Sequence, residues 1–309
     1  MFESQVSLVK YSNYKIGGLA RHFCAANSVG QLTLAVEKAR KNKSPIFILG
    51  GGTNLLINDN GFDGLVLKPE IGLLKANGDL VTVGAGVPID ELLDYSITRG
   101  LSGLEWAGGL PGTLGGAVRG NAGAFGGEIK DVVKEVVSLD ISKPKPQVVR
   151  RDNKACRFGY RDSVFKQRDG DEIILEATLA LSRGDKKAIS TAIEEKIAYR
   201  QNRQPLEYPN IGSIFKNVDL KKFDKKQQKE LVGVLKVDPF PVVPTAYLIH
   251  VAGLKGVSWG GAMISPKHPN FIVNVLDAKA EDVKKLIELV KLEVNRKFKV
   301  DLEEEVITV

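Results

Sequence analysis

Eleven of the chain's 32 glycines fall within twenty-eight consecutive residues, Gly100 to Gly127, in the run GLSGLEWAGGLPGTLGGAVRGNAGAFGG. A glycine in a regular element costs roughly 0.5–1 kcal/mol relative to alanine, so such a cluster requires left-handed backbone or the close approach of another group. Leu104, Trp106, Leu110, Leu114, Val118 and Phe125 are interleaved with the glycines, which separates the run from a Gly/Ser linker and demands a core for it to enter. Backbone N–H groups cradling phosphate are the natural use. Yet no GxGxxG occurs anywhere, and no glycine of the run precedes Lys-Ser or Lys-Thr, so a Rossmann domain and a P-loop NTPase both lose their main support.

At 309 residues, 43% hydrophobic and 26% charged, the chain has the composition of a globular protein of two or more domains. Cys24 and Cys156 lie far apart, form no CxxC, and read as buried small hydrophobes in a reducing compartment. The N-terminus has no basic stretch followed by an apolar run, and no eighteen-residue apolar segment follows, so a cytoplasmic protein with no membrane partner is expected. The net charge of +7 is not arranged as a basic stripe with stacking aromatics, and its densest part, Lys221 to Lys229, reads as a solvated helix face. Nucleic acid is therefore not expected as a partner, whereas diffuse positive charge favours an anionic small substrate. Three histidines without i, i+4 spacing give no metal site.

Residues 45–67 read as a strand, a glycine turn, a short apolar segment and a second strand. LVTVGAGV from Leu80 reads as a strand, and PIDELLDYSITRG as a helix with Pro88 at its start and Gly100 past its end. VVKEVVSLDI and EIILEATLAL, the latter alternating like a half-buried strand, are followed by a helix from Lys186 to Arg203 that QPLEYPN ends. After residue 205 a mixed unit is expected, with strands around IGSIF and NFIVNVL, a helix from about Glu281 to Phe298, and a strand-like C-terminal VDLEEEVITV.

KIGGLA at 15–20, LGGGTNLL at 49–56 and GLPGTLGGAVRGNAGAFGG at 109–127, followed in order by FGYRDSVF, YPNIGSIFKN, AGLKG, SPKHPNFIVN and LEEEV, resemble the UDP-N-acetylenolpyruvoylglucosamine reductase (MurB) family over nearly the whole chain. The resemblance implies an α+β protein: an FAD-binding, PCMH-type (vanillyl-alcohol-oxidase-like) two-subdomain α/β unit over 1–204, divided near 67/68, a C-terminal α+β substrate domain over 205–300, and a terminal strand, 301–309, returning to the active site. It implies an NADPH-dependent flavoenzyme that reduces the enolpyruvyl ether of UDP-N-acetylglucosamine to UDP-N-acetylmuramate in peptidoglycan synthesis, the two substrates taking one pocket in turn. The chain is expected to act as a monomer.

Carried over residue by residue, the resemblance makes Arg161 the cation for the substrate carboxylate and its enolate form, Ser213 the proton donor and Glu305 the third catalytic group. The residue types suit this chemistry: guanidinium is a fixed fork for carboxylate, and an enolate carbon is basic enough to take a proton from a well-placed serine. Alternation along a strand would put Glu304 on the face opposite Glu303 and Glu305. FAD contacts are assigned to Gly50, Gly51, Gly52, Thr53 and Asn54, and to Gly112, Thr113, Gly115, Gly116, Asn121, Ala122 and Gly123. Substrate contacts are assigned to Tyr160, Lys216 and Asn217.

The chain departs from the family pattern at Leu19, Val218 and Glu304, where proline is usual, at Tyr11-Ser12, and at His250, where an acid is common. The interval from Arg161 to Ser213 has no room for a tyrosine-bearing insertion, which implies the shorter family branch. Two alternatives stay open at this point: a flavin oxidase of the same fold acting on a sugar or alcohol, and a non-catalytic polyanion-binding protein.

Overall fold

The computed structural model describes residues 2–237 and 240–309. The chain forms two compact units: Met1–Val6, Ala20–Gly51 and Phe62–Arg200 make the first, and Ser7–Leu19, Gly52–Gly61 and Gln201–Val309 the second.

The first unit holds two large sheets. In one, Leu19–Ala26, Phe62–Pro69 and Ile46–Ile48 run parallel, with helix α1, Val29–Lys41, as the crossover that parallel pairing requires. Ser28 caps α1, and Leu32, Ala35, Val36 and Ala39 form its buried stripe. The other sheet is antiparallel, in the order Gln147–Asp152, Val133–Asp140, Glu172–Ala180, Leu80–Gly84, Leu74–Asn77. Glu172–Ala180 was expected to be half-buried, but it is a central strand, and all residues of it up to Leu175 are buried. Glu172 is shut in because Arg151 donates to both its oxygens, at 2.6 and 2.8 Å, while Arg168 and Ser138 Oγ complete the set. Val137, Leu139, Ile141, Ile173 and Leu175 share one core with α1 and the parallel strands.

Helix α2, Ile89–Arg99, starts after Pro88 and stops at Gly100, whose φ of 63° is the left-handed cap that a glycine supplies without strain. Helix α3, Leu114–Gly120, lies within the glycine run and buries Leu114, Ala117 and Val118. The short α4, Val164–Gln167, is capped by Ser163. Helix α5 spans Lys186–Arg203 as the sequence predicts. Leu104, Trp106, Leu114 and Val118 enter a separate core of the unit with Val81, Val83 and Leu179, whereas Phe125 is exposed. Both cysteines are buried and free, and burial pushes the Cys156 thiol up to about 11.

The second unit packs α6 (Lys225–Leu231), α7 (Thr245–Val251) and α8 (Ala280–Phe298) with a three-stranded antiparallel sheet, Ser258–Trp259, Ala262–Ile264 and Ile272–Asn274. Val283, Leu286, Ile287, Val290 and Val294 are the buried stripe of α8. Tyr14 and Ile16 join this core, and the fully buried Tyr14 hydroxyl donates to Ile272 O at 2.8 Å. IGSIF was expected to be a strand, but of its residues only Phe215 pairs, in an isolated antiparallel bridge to Glu304, because the Asn270 side chain takes the N–H and C=O of Phe215 and its carbonyl takes Ile214 N. Among the described residues no helix is long and apolar enough to cross a membrane.

Candidate functional site

In the first unit the two glycine segments meet. Gly50 and Gly51 follow the strand Ile46–Ile48, and a Cβ on Gly51 would stand 2.7 Å from Gly112 Cα. One on Gly50 would stand 3.4 Å from Thr113 Oγ1 and 3.9 Å from Gly116 Cα. The sides of α3 then differ. Gly115 faces the sheet, its amide bonded to Ala85 O at 3.0 Å. Gly116 and Gly120, one turn apart, face open space: an added Cβ would find only Thr113 Oγ1, at 3.8 Å, from the first and nothing within 4 Å from the second. The result is a strip of peptide without side chains, suited to a large flat or phosphorylated group.

Two buried donors packed against other glycines of the run, at Gly127 and Gly109, have no hydrogen-bond partner among the described residues, Trp106 Nε1 and Arg200 Nη2. Arg200 Nε donates to Gly108 O at 2.8 Å, and its guanidinium lies 5.2 Å from the Phe125 ring centroid. Phe125 sits at the tip of a hairpin, Ala124 to Gly127, and meets Tyr199 edge-on at 5.2 Å. Buried donors left over beside bare backbone are what an acceptor-rich ligand satisfies. The residues therefore fit a flavin nucleotide. Sequence reasoning missed Arg200, although its signal was present: Ile189, Ile193 and Ile197 recur every four residues, and Arg200 continues their core-facing stripe.

Arg161 lies on a two-residue turn, closed by Gly159 N to Asp162 O at 2.9 Å and Asp162 N to Gly159 O at 3.2 Å. Its φ of 55° is a position that glycine usually fills, a strain of about 1–2 kcal/mol for another residue. Its Nη2 donates to Gly123 O at 2.6 Å, and Tyr160 lies beneath the guanidinium with its centroid at 5.2 Å. The fully buried Asn121 donates Nδ2 to Gly159 O at 2.8 Å and accepts from Lys130 N at 3.2 Å, bracing the Arg161 turn against the glycine run. Ala122 is likewise engaged, its amide on Ala117 O and its carbonyl on Ile129 N.

In the second unit Ser213 and Glu305 come onto neighbouring segments. Phe215 pairs with Glu304, Glu305 N donates to Ile214 O at 2.8 Å, and Lys216 N donates to Glu303 O at 2.9 Å. Asn54 Nδ2 holds Glu305 O at 2.9 Å, and Ile307–Thr308 pairs in parallel with Leu55–Leu56, which anchors the stretch. Neighbouring acids are diverted: Glu303 pairs with Lys216, and Glu304 with Lys291 of α8. Asn217 Oδ1 accepts from Thr245 N at 3.2 Å, at the start of α7, and His250 is exposed in that helix's last turn. Tyr208 is exposed.

His268 faces Phe271 edge-on at 4.7 Å, and its Nδ1 is buried with no partner among the described residues. Burial, with Lys236 and Lys255 nearby, pushes its pKa down to about 4. The unfolded chain therefore binds a proton at this residue between about pH 6.5 and 4 that the folded chain does not, so stability falls as pH falls through that window, by about 3 kcal/mol at its lower end. We expect His268→Gln to lose this part of the pH dependence of Tm; an unchanged slope between pH 7 and 4.5 would refute the assignment.

Comparison with known proteins then places the fold. The family model described as "FAD binding domain" matches residues 20–150, and that described as "UDP-N-acetylenolpyruvoylglucosamine reductase, C-terminal domain" matches 204–309. A UDP-N-acetylenolpyruvoylglucosamine reductase of Halalkalibacterium halodurans is 36% identical over 97% of this chain and 91% of its own length. The chain belongs to the UDP-N-acetylenolpyruvoylglucosamine reductase family. A relative of the same name from Caldanaerobacter subterraneus subsp. tengcongensis is 35% identical over 96% of the chain and 90% of its own length. The crystal structure of the family's MurB enzyme from Thermus caldophilus superposes with a TM-score of 0.76 at 29% identity, covering 100% of this chain and 99% of that one. The α+β architecture, an FAD-binding PCMH-type portion followed by the MurB C-terminal domain, is thereby established.

Proposed function

We propose that the protein is a UDP-N-acetylmuramate dehydrogenase, an FAD enzyme that uses NADPH to reduce UDP-N-acetylglucosamine enolpyruvate to UDP-N-acetylmuramate in peptidoglycan synthesis. The observation that carries this reading is family membership over the whole chain, which brings Ser213 and Glu305 at matching motif positions onto adjoining segments. FAD, when bound, supplies the hydride, with NADPH as the electron source.

Gly50, Gly51, Gly112, Thr113 and Gly116 would receive its diphosphate and ring along the bare strip, with Trp106 and Arg200 as further donors. Gly52, Thr53 and Asn54 continue the first turn and keep their assignment toward the same group. Hydride arriving at the enolpyruvyl methylene carbon leaves negative charge on the adjacent carbon and its carboxylate. Arg161 holds that carboxylate through a fixed cationic fork. Ser213 Oγ gives its proton to the adjacent carbon and takes one back from solvent, with the Glu305 carboxylate assisting this proton handling. Tyr160, Lys216 and Asn217 keep their assignment as substrate contacts.

Titration of the purified protein under argon tests the reading. NADPH is expected to bleach the oxidised-flavin absorbance, and the enolpyruvyl sugar nucleotide to restore it within the turnover time. Reoxidation by air that is fast and indifferent to that nucleotide would favour a flavin oxidase instead.

A further inference from the structure

Glu128 is buried, and its carboxylate faces two cations, the Lys130 ammonium and, at 3.9 Å, Arg161 Nη1. The same carboxylate accepts from the Asp131 amide while Asp131 Oδ2 accepts from Glu128 N at 2.8 Å, a capping box that fixes the acid's own backbone. Gly123 records how tightly the three parts close. A Cβ there would stand 2.6 Å from Glu128 Cγ and 3.2 Å from Arg161 Nη1, so the acid and the guanidinium occupy the space of a missing side chain. Gly123 O takes Arg161 Nη2 from the other side.

The guanidinium is thus held on a strained turn by a carbonyl and a carboxylate delivered by the glycine-rich hairpin. From this geometry we infer that Glu128 is the positioning residue for Arg161: its charge fixes the direction in which the guanidinium is offered to the substrate carboxylate. This rests on the reaction proposed above. Glu128 is not itself placed on substrate or cofactor.

The capping and pairing roles separate by side-chain length. Aspartate is a favoured cap and keeps the charge, but it is one methylene too short to keep both the cap and the approach to Arg161. Glu128→Asp is therefore expected to fold with wild-type Tm and flavin content and to keep NADPH reduction within about twofold, while reoxidation by the enolpyruvyl sugar nucleotide slows about 10- to 100-fold, as small misplacements of a reacting partner do. Glu128→Gln should slow the same half-reaction, and in an Arg161→Lys background it should add less than about twofold, because both changes remove one interaction.

Wild-type behaviour of Glu128→Asp in both half-reactions would reduce Glu128 to a cap and overturn the inference. So would equal slowing of both halves, or an undiminished effect of Glu128→Gln beside Arg161→Lys. If wild-type reduced flavin is itself not reoxidised by the sugar nucleotide, the reaction assignment fails instead, which distinguishes the two failures.

Discussion

Replacing Ser213 by alanine is expected to leave reduction of the bound flavin by NADPH within about twofold of wild type while slowing its reoxidation by the enolpyruvyl sugar nucleotide by about 10²–10⁴-fold, the usual worth of a positioned proton donor. The asymmetry is the test, read by stopped-flow absorbance on each half-reaction separately. NADPH gives up a hydride and needs no proton delivered to carbon, whereas the substrate carbon does. The site can accept the change because Ser213 is only half-buried, and its neighbours are held by bonds that do not involve its hydroxyl: Ile214 N on Asn270 O at 2.8 Å and Phe215 N on Asn270 Oδ1 at 3.1 Å. Equal loss in both halves would mean that the serine shapes the segment and donates nothing.

The second large effect separates glycines that close the fold from glycines that receive the cofactor. Gly52 has a φ of 66°, and a Cβ there would overlap the Tyr11 carbonyl oxygen, so Gly52→Ala is expected to cost about 2–5 kcal/mol from left-handed strain and overpacking together. Gly116→Ala adds its methyl to open space within a helix, where alanine is favoured over glycine by up to about 1 kcal/mol. The flavin-free protein should therefore melt at the same temperature or slightly higher, yet bind FAD at least about tenfold more weakly, since one methyl would keep the ligand off the strip by more than the loss of one good contact, about 1.4 kcal/mol. Fluorescence titration with FAD beside a melting curve of the flavin-free form measures both. Unchanged FAD affinity in Gly116→Ala would remove the bare face of α3 from the cofactor site.

Much of the scaffold could be read from the chain because it is governed by local periodicity. Lys186–Arg203 and Ala280–Phe298 carry helical spacing, and Pro88 and Gly100 bracket α2 through backbone preferences that act within a few residues. What stayed hidden depends on partners distant in sequence. IGSIF alternates like a strand, but Asn270, more than fifty residues on, claims its backbone and leaves one bridge. The sequence carried no sign that the Lys216 ammonium, assigned to the substrate, is paired with Glu303. Nor did it show that the amide of Asn121, assigned to the cofactor, braces the turn that carries Arg161. The acid beside Arg161 went unnoticed because Glu128 looks like any charged residue after a glycine hairpin. Arg200 was legible in principle, as a cation on an isoleucine stripe, a pattern that makes sense only when something polar awaits it in the interior.

The parallel pairing of Leu55–Leu56 with Ile307–Thr308 has a consequence for the order of events during synthesis. The strand that anchors the carbonyl of Glu305 leaves the ribosome about 250 residues before its partner, which at about 5–20 residues per second is a wait of about 10–50 s. Throughout that interval Leu55–Leu56 lacks its partner strand, whereas the last strand of the first unit's large sheet, Glu172–Ala180, is made well before Ile307–Thr308. Unit one can thus assemble on the nascent chain, and the second unit closes only with the last few residues. A polypeptide released early would carry its glycine strip fully formed and have no acid at position 305 to use with it.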